Sequence, residues 1–161
     1  MGAVDSVMEG YEFLRDQFPE LLIRRFFPEK TDRESGLLKE FLARHLHKYD
    51  RVNFSVRIGE GIKPDPDHLP GVQHSTAFSS KRRIDMVLWQ GQQVTICEAK
   101  DRLRHDVLGQ LLSDRQLWLE ERPDDAEPKL IAIGRTSDEE TERILSAHGI
   151  ESYIYEPADT A

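Results

Sequence analysis

Apolar residues recur along this chain in two rhythms, and the switches between them outline its elements. From 3 to 27 the positions Val4, Val7, Met8, Tyr11, Phe13, Leu14, Phe18, Leu21, Leu22, Phe26 and Phe27 keep a mostly helical spacing that Pro19 interrupts, which predicts two short helices. Ser35 reads as the N-cap of a helix running to about residue 48, with Leu37, Leu38, Phe41, Leu42 and Leu46 as its buried stripe. Residues 52–58 then alternate, apolar at even positions and polar at odd ones, the period of a half-buried strand closed by Gly59 and Gly61. The stretch 59–80 carries Pro64, Pro66 and Pro70 without periodicity and reads as a long irregular loop.

Residues 83–89 and 94–100 are rich in branched and apolar side chains, and the polar Gln90-Gly91-Gln92-Gln93 between them reads as a hairpin connection. Helical spacing returns over 103–121 until Pro123, and 130–133 reads as a short strand. Ser137 or Asp138 can cap a helix ending near His148, with Gly149 as its left-handed terminator and 153–155 as a last strand. A meander followed by strand-helix alternation predicts an α/β fold, a mixed sheet with helices on both faces.

The chain has 161 residues with 38% hydrophobic content, which suits one core and a single domain over 1–161, composed of a helical extension (1–34) and a core (35–156). No apolar run approaches the roughly 20 residues of a membrane span, no signal-peptide pattern opens the chain, and Cys97 is the lone cysteine. A cytoplasmic protein without disulfides is expected. Its 30 acidic against 22 basic residues give a net charge of −8, so any contact with nucleic acid must be a local patch.

Asp85 and Glu98 stand inside apolar strand sequence, where an uncompensated carboxylate is costly. If Gln90 to Gln93 form a four-residue loop, Trp89 faces Val94, and counting back sets Asp85 opposite Glu98 at roughly 5 Å with Lys100 on the same face. A two-residue loop would leave Asp85 diagonal to Glu98. A three-residue loop would turn it to the wrong side. Cys97, one residue from Glu98, points to the opposite face as an inert thiol.

Arg83-Ile84-Asp85-Met86-Val87-Leu88, a short turn and Ile96-Cys97-Glu98-Ala99-Lys100 resemble the signature hairpin of the PD-(D/E)XK nuclease superfamily. Gly36-Leu37-Leu38-Lys39-Glu40 is similar to the helix motif in which that family carries a further Glu, and Gln110 resembles the glutamine on the helix after its hairpin. Ile84 stands where the family usually has proline, and no tyrosine follows Gln110. The resemblance covers 35 to about 134 and implies an αβββαβ restriction-endonuclease-like core.

It further implies Mg²⁺ or Mn²⁺ held by Asp85 and Glu98 with the Ala99 carbonyl, and Glu40 as a ligand of a second ion. Lys100 is expected to orient the attacking water. Lys81, Arg82, Arg83, Arg102 and Arg104 flank this site as candidate phosphate contacts, although charge runs commonly serve only to solvate a surface. The function this predicts is hydrolysis of phosphodiester bonds, with DNA as the expected substrate. The alternatives are a non-cleaving nucleic-acid-binding or assembly module on the same fold and an RNA-processing nuclease. Dimerisation is common in the family and would place two sites on one duplex.

Overall fold

The structure is a computed structural model that describes residues 30–63 and 65–156, with 77–79 described by backbone alone. The helices expected over 3–27 lie outside the described residues. The first described helix, α1 (Asp32–His45), starts earlier than expected: Thr31 is the N-cap, its hydroxyl accepting from the Glu34 amide, and Ser35 is buried inside the first turns. Its Leu37, Leu38, Phe41 and Leu42 are buried at spacings of one helical turn, so a single stripe faces the sheet. Truncating the 1% exposed Phe41 to Ala should cost roughly 3–5 kcal/mol of stability.

A short 3₁₀ turn, Leu46–Lys48, leads into β1 (Arg51–Ile58). The expected loop over 59–80 instead ends in a helix, α2 (Pro70–Ser80). It stands off the sheet, with Val72 46% exposed and neighbouring Leu69 75% exposed, which explains why no helical stripe marks it in the sequence. There follow β2 (Arg82–Gln90), β3 (Gln93–Arg102), α3 (His105–Glu121), β4 (Lys129–Thr136), α4 (Glu139–Ala147) and β5 (Ile150–Ile154). Asp138 caps α4, accepting from the Thr141 amide at 2.7 Å.

The five strands lie in sequence order, β1 to β3 antiparallel and β3 to β5 parallel. Both parallel crossovers step in the same direction, so right-handedness places α3 and α4 on one face and leaves the other to α1. Two cores follow. Met86, Leu88, Cys97, Ala99, Ile131 and Ile133 pack on α1, while Val87, Ile96, Leu130 and Ala132 pack against Val107, Leu111 and Trp118 of α3 and Leu145 of α4. Gly134 allows the tightest of these contacts, since a Cβ there would stand 2.7 Å from Leu103 Cγ. No helix among the described residues is long and apolar enough to cross a membrane.

The even-position rule for the first strand holds only halfway. Val52 and Phe54 pack on the α1 side, but Val56 and Ile58 pack on the α3 side. Between them Ser55 takes φ +51°, and the β1–β2 ladder passes from Phe54↔Met86 to Val56↔Ile84 without pairing Ser55 to Asp85. This local irregularity reverses the faces of both strands beside Asp85.

Candidate functional site

Hairpin register brings the central carboxylates together. Trp89 pairs with Val94 and Gln90 with Gln93, leaving Gly91 (φ +59°) and Gln92 as a two-residue turn. Because Gln90 and Gln93 extend the ladder, this short turn keeps the register expected for the longer loop. Met86↔Cys97 is the last pair, so Asp85 and Glu98 occupy the next opposed positions, where β2 and β3 begin to part. Asp85 Oδ2 accepts from the Ala99 amide at 2.9 Å, which fixes its carboxylate against β3. Asp85 is 4% exposed and Glu98 1%.

Lys30, immediately before the cap of α1, fills the space between them. Its Nζ lies 2.8 Å from Asp85 Oδ2, 2.9 Å from Glu98 Oε1, 3.0 Å from the Ala99 carbonyl oxygen and 3.2 Å from Glu34 Oε2. Four oxygens from α1, β2 and β3 thus converge on one cation. Glu34 reaches the cluster because Thr31 starts the helix early and sets Glu34 in its first turn, one residue short of the buried Ser35.

Acids outnumber the base in this cradle. Burial lowers the proton affinity of Lys30, but Asp85 and Glu98 outweigh it and hold the ammonium protonated well beyond the ordinary lysine range. Burial and then the Asp85 carboxylate push the Glu98 pKa upward, with Lys30 opposing. Glu98 Oε2 is buried and has no hydrogen-bond partner among the described residues. Three carboxyl groups converge on one ammonium, and an oxygen-only donor set is the chemistry that hard divalent cations prefer. Around the ammonium, however, the described His, Cys, Asp and Glu side chains are not drawn into a ready metal-holding cluster.

Lys100 is half-buried on β3 two residues beyond Glu98, and its amine forms no ion pair with a described residue. Glu40 is a correction: it does not project toward Asp85 and Glu98. It is exposed and accepts from Arg44 Nε and a terminal guanidinium nitrogen at 3.1 and 2.6 Å. Six residues separate it from Glu34, about 240° of helical rotation, so the two cannot share a face.

Gln110 is half-buried on α3 and lines a cavity of about 510 Å³ with Arg82, Arg83, Asp106, Gly109 and Ser113. Of the basic residues, Arg82 ties β2 to α3, its Nε donating to Asp114 Oδ1 at 3.0 Å, with a longer 3.4 Å contact to the Gln110 carbonyl. Asp114 is fully buried, and burial pushes its carboxyl up to about 6 against the opposing pull of Arg82. Lys81 and Arg83 are half-buried at the start of β2, while Arg102 and Arg104 are exposed where β3 gives way to α3. Cys97 is buried among α1-side core residues, and burial raises its thiol pKa far from reactive values.

Sequence patterning misses Lys30, Glu34 and Asp114. Thr31-x-x-Glu34 is a capping-box pattern that marks the true helix start. Lys30 has no such signal, because its partner Glu98 lies 68 positions away. Compared with protein-family models, curated proteins and solved structures, the chain matches none.

Proposed function

We propose that this protein is a divalent-metal-dependent nuclease with an αβββαβ restriction-endonuclease-like core, hydrolysing phosphodiester bonds with DNA as substrate. The observation that carries the reading is the cradle itself: Asp85, Glu98, the Ala99 carbonyl and Glu34 all turn toward one cationic centre. The Lys30 ammonium stands in for the cation, and the buried, unpartnered Glu98 Oε2 offers a further donor. Asp85, Glu98 and the Ala99 carbonyl would hold Mg²⁺ or Mn²⁺, with Glu34 taking the helix-carboxylate role expected of Glu40. A bound ion would polarise the phosphate and make water a better nucleophile at neutral pH.

The chain's own residues supply the rest. Lys100, without an ion-pair partner among the described residues, is suited to orienting water and offsetting charge in the transition state. The cavity bearing Arg82, Arg83 and Gln110 adjoins the β2 segment that carries Asp85, and Arg102 and Arg104 lie exposed past Lys100. These basic residues are the proposed phosphate contacts on a chain whose net charge is −8. Phosphate contacts of this kind carry no base specificity, so the reading covers reaction type and not sequence preference.

A non-cleaving binding or assembly module is the second reading, favoured by the Lys30 ammonium already sitting among the carboxylates. The test is incubation with plasmid, single-stranded and branched DNA and with structured RNA, in Mg²⁺, Mn²⁺ or EDTA. Metal-dependent cleavage of DNA is expected. Cleavage of RNA alone would move the substrate to RNA, and binding without any cleavage would replace the enzyme by the module.

A further inference from the structure

We propose that Lys30 is a built-in competitor for the cation cradle, which a divalent ion must expel in order to bind, so that metal loading releases Lys30 from Asp85 and Glu98. This inference rests on reading the cradle as a metal site, and it concerns how that site is regulated.

Geometry excludes double occupancy. Nζ already lies within 2.8 to 3.2 Å of all four converging oxygens, and any ion bonded to the same atoms would sit almost on the ammonium. Donor chemistry favours exchange, because three carboxyl groups and a carbonyl form the all-oxygen set that a divalent ion prefers. A path exists, since the Lys30 side chain is 13% exposed and needs only rotation of its own flexible chain to reach water.

Apparent metal affinity is then the intrinsic affinity reduced by the fraction of molecules with Lys30 withdrawn. Anything that draws Lys30 away from the sheet would raise metal affinity without touching a ligand. The protein would remain in a metal-poor, resting state until metal concentration or such a pull favours loading.

The experiment is calorimetric titration of Mn²⁺ into wild-type protein and Lys30→Met at one pH. Lys30→Met should bind Mn²⁺ at least tenfold more tightly, including the case in which binding is measurable only in the variant. Equal or weaker binding by the variant overturns the competition while leaving the metal site standing. Absence of binding in both proteins overturns the competition and the metal reading together.

Because Lys30→Met leaves buried carboxylates without their cation, a second measurement uses wild-type protein alone. Amine acylation is followed by mass spectrometry at Lys30, with exposed Lys63 as reference. Saturating Mn²⁺ should raise the rate at Lys30 several-fold relative to Lys63. Binding of Mn²⁺ with no change at Lys30 overturns the proposal.

Discussion

Two buried carboxylate clusters lie within four residues of one another along β2, and they hold their charge in different ways. Asp114 meets Arg82 one to one, with the Arg82 side chain 42% exposed, so one acid is matched by one base that still touches water. Asp85 and Glu98, with Glu34 at the rim, gather three acids on the single ammonium of Lys30. A matched pair fixes geometry, and removing either member leaves an uncompensated charge. An unmatched cluster retains affinity for a further or better cation, which is what a metal site requires. The contrast makes Asp114 a brace for β2 against α3, and it is the basis for the metal site proposed at Asp85 and Glu98.

The largest effect should separate the two clusters outright. Asp85→Ala removes a central oxygen donor, and both Mn²⁺ binding in calorimetry and DNA cleavage should disappear, a loss of about 10³-fold or more. Asp114→Ala should leave metal binding within a few-fold while lowering stability. Equal loss of metal binding in both variants would erase the distinction. Lys100→Ala comes next: it removes no ligand, so Mn²⁺ should still bind while cleavage falls by about 10².

A smaller effect tests the brace through pH. The folded-state pKa of Asp114, about 6, lies above its ordinary value of 3.8, so between those pH values the folded protein keeps a proton that the unfolded chain has released. Its contribution to stability is complete below pH 4 and is lost as pH rises through 6, by roughly 3 kcal/mol. Asp114→Asn cannot titrate, so its stability relative to wild type should improve by about 1–3 kcal/mol between pH 4 and pH 7. Urea midpoints for both proteins at the two pH values measure this, and a constant difference would mean that Asp114 ionises freely. The smallest effect concerns the helix acids: Glu34→Gln should weaken Mn²⁺ binding several-fold, whereas Glu40→Gln, losing only an exposed ion pair, should change it by less than about twofold.

The legible and illegible parts of this molecule divide by the range of the interactions that specify them. Hairpin register is readable because period-two alternation and a short connection leave few ways to pair Trp89 with Val94, and Asp85 then falls opposite Glu98. Apart from the helix Pro70–Ser80, which carries no apolar stripe, the element order from residue 32 on and the placing of helices on both sheet faces follow from hydrophobic periodicity and crossover handedness. The start of α1 is misread from sequence because Ser35 and Thr31 are both capping residues, and only packing shows that Ser35 is buried. The choice of Glu40 rests instead on the resemblance of Gly36-Leu37-Leu38-Lys39-Glu40 to the family's helix motif, and local patterning does not show that Glu40 pairs outward with Arg44. The face reversal at Ser55 and the reach of Lys30 to Glu98 depend on tertiary contacts, for which local patterning carries no signal.

The most direct test of the cradle as a cation site is a crystal structure of wild-type protein grown with saturating Mn²⁺ and measured at a wavelength where manganese scatters anomalously. The expected result is an anomalous peak within bonding distance of Asp85, Glu98 and the Ala99 carbonyl, with the Lys30 amine withdrawn from all three. A map without manganese at that position, and with Lys30 still bridging Asp85 and Glu98, would contradict it.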